Sequence, residues 1–429
     1  MFIYCFIYNK LLQYKGFMKY KEIADRLEND IISNKRPGDR LPGLREIAKA
    51  EGISLLTARN VYLLLTRKGL ITTRQGSGTF VAYSRPKGPI DLSCIAPPEE
   101  FLFWIGRHLS ISPEGLSVYD PPQGYEPLIM QARQWLEPAG NWGMPIITAG
   151  SQQALFLAGL SLLRPGDLVA VENPGYTGAR RIFESLGATV KPVPYMDTKD
   201  ALDHLRDDRI RMFYTMPQAH IPTGSHIPQD VRDDLLSTAE VHDFYILEDD
   251  PLSDLTGIRP LKVRDKCERV IYIKSLSNIL GPGLRIAFAV LPEHLYTSML
   301  NLKEIIDLSI SGILQRTLYE IMASGDLKRH ITRLKSEMVV REKHIRDKIQ
   351  WPSTSPCLWI NTLIPGRIHM EKLLRLGVRI MPGDIYGTQW ADHIRISLMS
   401  ASREDFFQAM QIIHGYFLKK SLPELKSML

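Results

Sequence analysis

The chain has 429 residues, 44% of them hydrophobic and 23% charged, with a formal net charge of +6. This length and composition fit an ordinary globular chain of two or three domains. No apolar run approaches the ~18–20 residues of a membrane helix, which excludes a spanning segment and predicts no membrane partner. The charge is unevenly placed: residues 1–83 hold 14 Lys/Arg against 7 Asp/Glu, and residues 84–429 hold 39 against 40. A basic front on a near-neutral body reads either as a polyanion-binding module joined to something else or as a solvated basic surface. Cys5, Cys94, Cys267 and Cys357 are scattered without metal or redox spacing. They predict a reducing, cytoplasmic setting, no disulfide framework and no metal site.

In chain order, Met1–Tyr8 is apolar but short, and Lys10 and Lys15 follow it without a small-residue cleavage site. No signal peptide is expected. Met18 directly precedes the first patterned helix, so residues 1–17 read as a disordered extension or as residues ahead of the native start. Ile23, Ala24, Leu27 and Ile31 make one helical stripe. A turn at Arg36–Pro42 leads to a short helix with Leu44, Ile47 and Ala48 inward. Ser54 is positioned to cap a third helix, whose Ala58, Val61, Tyr62 and Leu65 form the core stripe. Thr57, Arg59 and Asn60 lie on its opposite face. Gly69 closes this helix. Leu70–Thr73 and Thr79–Val81 then read as two strands around a loop containing Gly76 and Gly78. Three helices and a hairpin make a winged helix over residues 18–83. Its third helix has the length to enter a major groove of double-stranded DNA, and its wing glycines let the backbone approach the duplex.

The run Pro37-Gly38-Asp39-Arg40-Leu41-Pro42-Gly43-Leu44-Arg45-Glu46-Ile47-Ala48, with Thr57, Tyr62, Leu65, Gly69 and Gly76-Ser77-Gly78-Thr79-Phe80-Val81, resembles the GntR family of bacterial regulators. The resemblance implies an operator-binding domain in which Arg45, Thr57, Arg59 and the Gly76–Gly78 wing contact DNA. Asn60 joins them from the exposed face of the third helix. Leu55 stands where a basic residue is common, so the resemblance gives no base preference.

Residues 84–90 are polar and rich in Pro and Gly, as a short linker is. From residue 91 to 429, β-rich runs alternate with amphipathic helices. Strands are expected at 145–148, 168–171, 211–215, 244–247 and 270–273, and helices at 152–163 and 178–186. That is an α/β domain with a mainly parallel sheet, whose ligands bind beyond the carboxyl ends of the strands. The motifs sit at those ends. Gly150-Ser151-Gln152-Gln153 opens a helix where free N–H groups favour a phosphate. Tyr176 reads as a ring over a planar ligand or as a packing Tyr in a turn. Glu248-Asp249-Asp250 reads as a partner for a protonated pyridine nitrogen or as a surface acidic turn. Arg395 reads as a bidentate carboxylate binder or as half of a structural salt bridge.

Taken in order, these motifs resemble fold-type I pyridoxal-phosphate-dependent aminotransferases. Their union with the front domain resembles the MocR subfamily of GntR regulators, over residues 20–418. The resemblance implies a homodimer with sites at the subunit interface. It maps Ser151, Gln152, Ser275, Ser277 and Arg285 onto phosphate contacts, Tyr176 onto the stacking ring, Asp249 onto the pyridine-nitrogen partner and Arg395 onto the carboxylate clamp. In Ser275-Leu276-Ser277-Asn278, Asn278 stands where the family carries the Lys that forms the Schiff base. Ile221 and Leu252 replace two further polar groups near the reactive edge. Lys274, if the stretch is extended, is ~13 Å from position 278, a poor reach. The expectation is a cytoplasmic DNA-binding regulator with no catalytic residue. Its large domain senses a small molecule, either pyridoxal or pyridoxamine phosphate held without a covalent bond, an amino-acid adduct or another anion. The alternatives are a ligand-free dimerisation scaffold and a working aminotransferase.

Overall fold

The computed structural model describes residues 23–28, 30–31, 35, 38–67, 69–74, 77–82, 88–102, 104–109, 117–136, 142–195, 199–351 and 356–420. The expected extension over residues 1–17, Gly76 and residues 84–87 of the linker lie outside the described residues. The chain divides between Pro89 and Ile90 into two compact units. Among the described residues no helix is long and apolar enough to cross a membrane.

In the first unit, helical residues 23–28 and 30–31 precede the helices Leu44–Ala50 and Leu55–Arg67. The antiparallel hairpin of β1 (Ile71–Arg74) and β2 (Gly78–Val81) follows. Ala24, Ile47, Ala58, Val61, Leu65 and Ile71 share one buried core, so the apolar stripes read from sequence all point inward. Ser54 caps the third helix as expected, its Oγ accepting the Thr57 backbone N–H at 3.0 Å. Residues 38–41 run beside β2, with Leu41 N–H on the Thr79 carbonyl at 2.8 Å and Val81 N–H on that of Asp39 at 2.8 Å. The Tyr62 hydroxyl ties the third helix to this edge through the Pro42 carbonyl at 2.6 Å.

The second unit begins with β3 (Ile90–Asp91). Ile90, expected in the linker, instead pairs with Val378 of a strand near the end of the chain, because its N–H finds the Gly377 carbonyl at 2.8 Å. The strands β4 (Ile146–Thr148), β5 (Leu168–Asn173), β6 (Thr189–Pro194), β7 (Ile210–Thr215), β8 (Tyr245–Asp250), β9 (Val270–Ser275) and β10 (Ala287–Val290) form one seven-stranded sheet in the order β4-β10-β9-β8-β7-β5-β6. The pairings from β6 across to β9 are parallel, while β10 runs antiparallel to both its neighbours. Parallel strands are covered on both faces, which is why Met212–Tyr214 of β7, Tyr245–Leu247 of β8 and Val270–Ile273 of β9 read as unbroken apolar runs. The chain then closes with β11 (Cys357–Asn361), β12 (Val378–Arg379), β13 (Met381–Pro382) and β14 (His393–Ser397). Here β11, β14 and β13 make a small antiparallel sheet packed under the terminal helix Arg403–Lys420, and β12 is the partner of β3.

The two faces of the large sheet pack against separate cores. Leu247 of β8 and Ile271 and Ile273 of β9 pack on one side, with Leu157 and Ala158 of the helix Ser151–Leu162 and Phe183 of Thr177–Ser185. Ile246 and Val270 pack on the other, with Val231, Leu235 and Ala239 of the helix Gln229–Val241. Side chains alternate along a strand. Asp249 and Ser275 therefore belong to the first face, and Glu248, Asp250 and Lys274 to the second. The surface-turn reading of Glu248–Asp250 is corrected here. All three lie within β8, and Asp249, the most exposed of them, is 4% exposed. The acidic run looked like a loop because sequence polarity does not reveal partners contributed by neighbouring strands.

Candidate functional site

In the first unit, Arg45 sits on the helix Leu44–Ala50 and Arg59 and Asn60 on the helix Leu55–Arg67, all three exposed. Thr57 is half-buried, its hydroxyl 2.8 Å from Ser54 Oγ, so it serves the helix start as well as the surface. Gly78 has φ +115°, and a Cβ there would come within 3.2 Å of Arg40 Nε. The wing therefore favours glycine at 78 for its backbone conformation. Leu55 and Leu56 are exposed at the start of the third helix, presenting apolar groups beside the polar ones.

In the second unit, the helix Ser151–Leu162 starts directly after β4 and points its free N–H groups toward the strand ends. Gly150 caps it at φ +81°. The guanidinium of Arg285 lies over this glycine, and a Cβ at 150 would meet Arg285 Nη2 at 2.5 Å. Arg285 Nη1 also donates to Ser277 Oγ at 3.4 Å, and Nη2 to the Ala149 carbonyl at 3.4 Å. Ser277 opens the short helix Ser277–Leu280, and its N–H meets Ser275 Oγ at 3.3 Å. Ser275, Ser277 and Arg285, close together in sequence, thus gather at the helix N-terminus that Ser151 opens much earlier in the chain. Gln152 donates to the Tyr176 hydroxyl. Gly178 leaves that pair its room, since a Cβ there would meet Tyr176 Cζ at 2.5 Å.

Asp249 lies on the same face, and its negative charge acts on Tyr176. Its Oδ2 accepts the Tyr214 hydroxyl at 2.8 Å, and its Oδ1 is buried with no hydrogen-bond partner. Burial pushes the Asp249 carboxyl up to about 7, against the pull of the Tyr214 hydroxyl and with a further push from Asp250. Tyr214 on β7 was missed in the sequence, where it reads as one more aromatic in a strand. Only the pairing of Tyr214 with Leu247 across β7 and β8 brings it alongside.

Asn278 occupies the first turn of the Ser277–Leu280 helix and is half-buried. Lys274, one strand position before Ser275, turns to the opposite face. Its Nζ pairs there with Asp254 at 2.7 Å and Asp250 at 3.2 Å, and it is 1% exposed. Burial works against the Lys274 charge, but these two carboxylates together hold its pKa above the ordinary value. Ile221 and Leu252 pack into apolar clusters and bring no polar atom to the site.

Arg395 sits in the middle strand β14 of the small sheet, buried. It donates to the Tyr386 hydroxyl and the Ser93 carbonyl, and its Nε has no partner. No carboxylate among the described residues pairs with it, which removes the salt-bridge reading. The segment just before β14 also touches the large sheet: the side chains of Gln389 and Trp390 both donate to Asn173 Oδ1 at 2.9 Å, at the end of β5. Beside that end, Glu172 and His220 are fully buried 3.6 Å apart. Burial raises Glu172 to about 8 and lowers His220 to about 3, so near neutrality the contact joins two largely uncharged groups. Among the described residues no group of three or more His, Cys, Asp or Glu is placed to hold a metal.

The front face therefore offers an anion cup at a helix N-terminus, an aromatic hydroxyl, and an acid with one orphaned buried oxygen. A planar phosphorylated pyridine fits those groups: its phosphate suits the cup, and its ring N–H suits Asp249 Oδ1.

Residues 19–81 match the family described as bacterial regulatory proteins, gntR family, and residues 111–413 match aminotransferase class I and II. The chain is 32% identical over 461 aligned positions to the uncharacterized HTH-type transcriptional regulator YdfD of Bacillus subtilis (strain 168), covering 91% of this chain and 94% of that one. It is 30% identical over 394 positions to YcxD of the same organism, another uncharacterized HTH-type transcriptional regulator, with 83% and 88% covered. Among solved structures, LysN, the alpha-aminoadipate aminotransferase of Thermus thermophilus complexed with N-(5'-phosphopyridoxyl)-L-leucine, superposes with a TM-score of 0.68 at 25% identity. That match covers 78% of this chain and 93% of LysN.

Proposed function

Since this chain belongs to the GntR-type transcriptional regulators that carry a class I and II aminotransferase domain, we propose that its large domain is a non-catalytic sensor. It holds pyridoxal or pyridoxamine phosphate, or an amino-acid adduct of either, without a covalent bond, and the bound state controls operator binding. One observation carries this reading. Arg285 meets Ser277 at a helix N-terminus and Asp249 Oδ1 is buried without a partner, while Asn278 stands where the resemblance to the aminotransferases puts the Schiff-base Lys. A carboxamide is neither a usable amine nucleophile nor a base near neutral pH.

When bound, the coenzyme supplies an electron-withdrawing ring and an aldehyde or amine. This chain's residues bind and orient it. Arg285, Ser277, Ser275 and the N–H groups at Ser151 and Gln152 take the phosphate. Asp249, steadied by Tyr214, takes the ring nitrogen, and Tyr176 borders the ring. Arg395 takes an effector carboxylate. Ile221 and Leu252 leave the reactive edge without polar groups. Lys274 does not replace the missing amine, because it is locked between Asp250 and Asp254 on the far side of the sheet.

The working form is a homodimer in this reading. Ile305 is 82% exposed and Leu308 50% exposed at the end of the helix Glu293–Asp307. Asp307 there bonds Gln153 at 2.6 Å, immediately beside the cup. A second copy covering that apolar end would border the ligand and couple occupancy to dimer shape. In the first unit Arg45, Thr57, Arg59, Asn60, Gly76 and Gly78 form the operator-binding surface.

The test is selection of genomic duplex fragments by the full-length protein, followed by mobility shifts with and without pyridoxal phosphate. A ligand-dependent shift that disappears in Asp249→Ala supports the sensor. Specific DNA binding indifferent to every ligand would leave a dimerisation scaffold in its place.

A further inference from the structure

A cavity of about 660 Å3 opens on the face of the sheet opposite Asp249 and Ser275. Alternation along β9 puts it there: Tyr272 and Lys274 line the cavity, whereas Ile271 and Ile273 pack into the core of the other face. The remaining walls come from the helix Glu126–Leu136, Trp142, residues 253–263, Met322 and one side of the helix Asp326–His344. None of the residues assigned above to the coenzyme or the effector lines it.

Two features of the lining specify a ligand chemistry. The first is aromatic. Trp142 meets Tyr272 edge-on with centroids 5.4 Å apart, and the Lys274 ammonium lies 5.8 Å from the Trp135 ring centroid. The second is charge. Lys274 at the floor is compensated by Asp250 and Asp254. Arg259, Lys328 and Lys335 line the same cavity from exposed positions, and none of them pairs with a carboxylate among the described residues. Lys328 and Lys335 are seven residues apart on one helix, hence on one side of it. Three uncompensated cations around an indole-walled recess attract an anion with a flat apolar body. The volume lies within the range of sites that enclose a small organic molecule.

We infer that this cavity is a second small-molecule site, taking a planar aromatic carboxylate, with its ring against the Trp135 and Trp142 wall and its carboxylate among Arg259, Lys328 and Lys335. The inference does not depend on what occupies the front face. The two sites are nevertheless adjacent through the sheet. Asp249 and Asp250 are consecutive in β8 and face opposite ways, as do Ser275 and Lys274 in β9. An occupant of the rear cavity therefore sits against the reverse side of the strands that carry the front-face groups.

Calorimetric titration of the full-length protein with 2-naphthoate, and with 2-naphthol as the uncharged probe of the same ring, tests this. Saturable binding of 2-naphthoate is expected, with 2-naphthol weaker. The Lys328→Gln/Lys335→Gln protein, altered only at exposed positions, is expected to bind 2-naphthoate about fivefold more weakly. The Asp249→Asn protein is expected to bind it as the parent does, with or without pyridoxal phosphate. Three outcomes would each overturn the inference: no saturable binding, equal affinity in the double variant, or displacement of 2-naphthoate by pyridoxal phosphate. The last would put the probe in the front site.

Discussion

Tyr214→Phe removes a single oxygen, and the structure gives that oxygen one function. It donates to Asp249 Oδ2 at 2.8 Å inside a fully buried pocket where Oδ1 already lacks a partner. The loss leaves a buried carboxyl with neither oxygen served by this contact. A hydrogen bond to a charged group contributes about 1.5–3 kcal/mol, and one to a neutral group about 1 kcal/mol. The size of the effect therefore depends on the charge of Asp249. With its folded pKa at about 7, raised from the ordinary value chiefly by burial, Asp249 is largely neutral at pH 5.5 and largely ionised at pH 8.5. The Tyr214 hydroxyl favours the ionised form, so its removal moves the Asp249 pKa further up. The sign follows from linkage. A folded pKa above the unfolded one means that this group's contribution to stability is intact at low pH and is lost as pH rises through the folded pKa. Tyr214→Phe deepens that loss. Urea unfolding of both proteins should show a deficit of about 1 kcal/mol at pH 5.5, growing to about 2–3 kcal/mol at pH 8.5. In an Asp249→Asn background the pH dependence of the deficit should vanish. A deficit equal at both pH values, or one that persists with its full pH dependence in Asp249→Asn, would refute the assignment of Tyr214 as the residue that positions Asp249.

Other expectations follow from the same geometry. Arg59→Ala, on the exposed face of the third helix, should weaken specific operator binding about tenfold or more in mobility shifts; unchanged specificity would remove Arg59 from the DNA surface. Asn278→Lys should restore an amine beside the cup and make pyridoxal phosphate trappable by borohydride on that position, read by peptide mass; no adduct there would mean the Ser277–Leu280 helix is not the coenzyme-anchoring segment. Glu172→Gln mimics the protonated acid, and Gln retains an acceptor for the Met216 N–H and a donor for the Thr215 hydroxyl oxygen. Because the native Glu172 pKa of about 8 exceeds its ordinary value, native Glu172 costs stability increasingly as pH rises from about 4 to 8. The variant should accordingly gain stability over the parent progressively across that interval in thermal unfolding, and a constant difference would contradict the buried-acid account.

The parts of this protein legible in its sequence are those whose signals are local. Ser54 is one turn from the N–H it caps, and Ala58, Val61, Tyr62 and Leu65 mark their face by spacing alone, so the winged helix could be read through. Five of the seven strands of the large sheet were legible as apolar runs, and β6 and β10 were not; β5, β8 and β9 extend two or three residues further than hydropathy indicated, through Asn173, Asp250 and Ser275. Those extra residues are polar, and Asp249 and Ser275 of the candidate site are among them. Their burial depends on partners across strands, Tyr214 for Asp249 and Lys274 and Tyr272 for Asp250, with Ser253 adding a local bond to Asp250. Arg395 was recognisable as unusual, but its contacts come from Ser93 and Tyr386, one of them 302 residues away. The rear cavity was invisible, because separate stretches of the chain build it and no motif marks their meeting.

The most direct test of the central claim is calorimetric titration of the full-length protein with pyridoxal 5'-phosphate and, separately, pyridoxamine 5'-phosphate, with borohydride reduction of each mixture followed by peptide mass analysis. The account predicts saturable binding with a dissociation constant on the order of micromolar. It also predicts loss of that binding in Arg285→Ala and in Asp249→Ala, and no reduced adduct on any lysine. A stoichiometric lysine adduct, or the absence of binding by either compound, would contradict it.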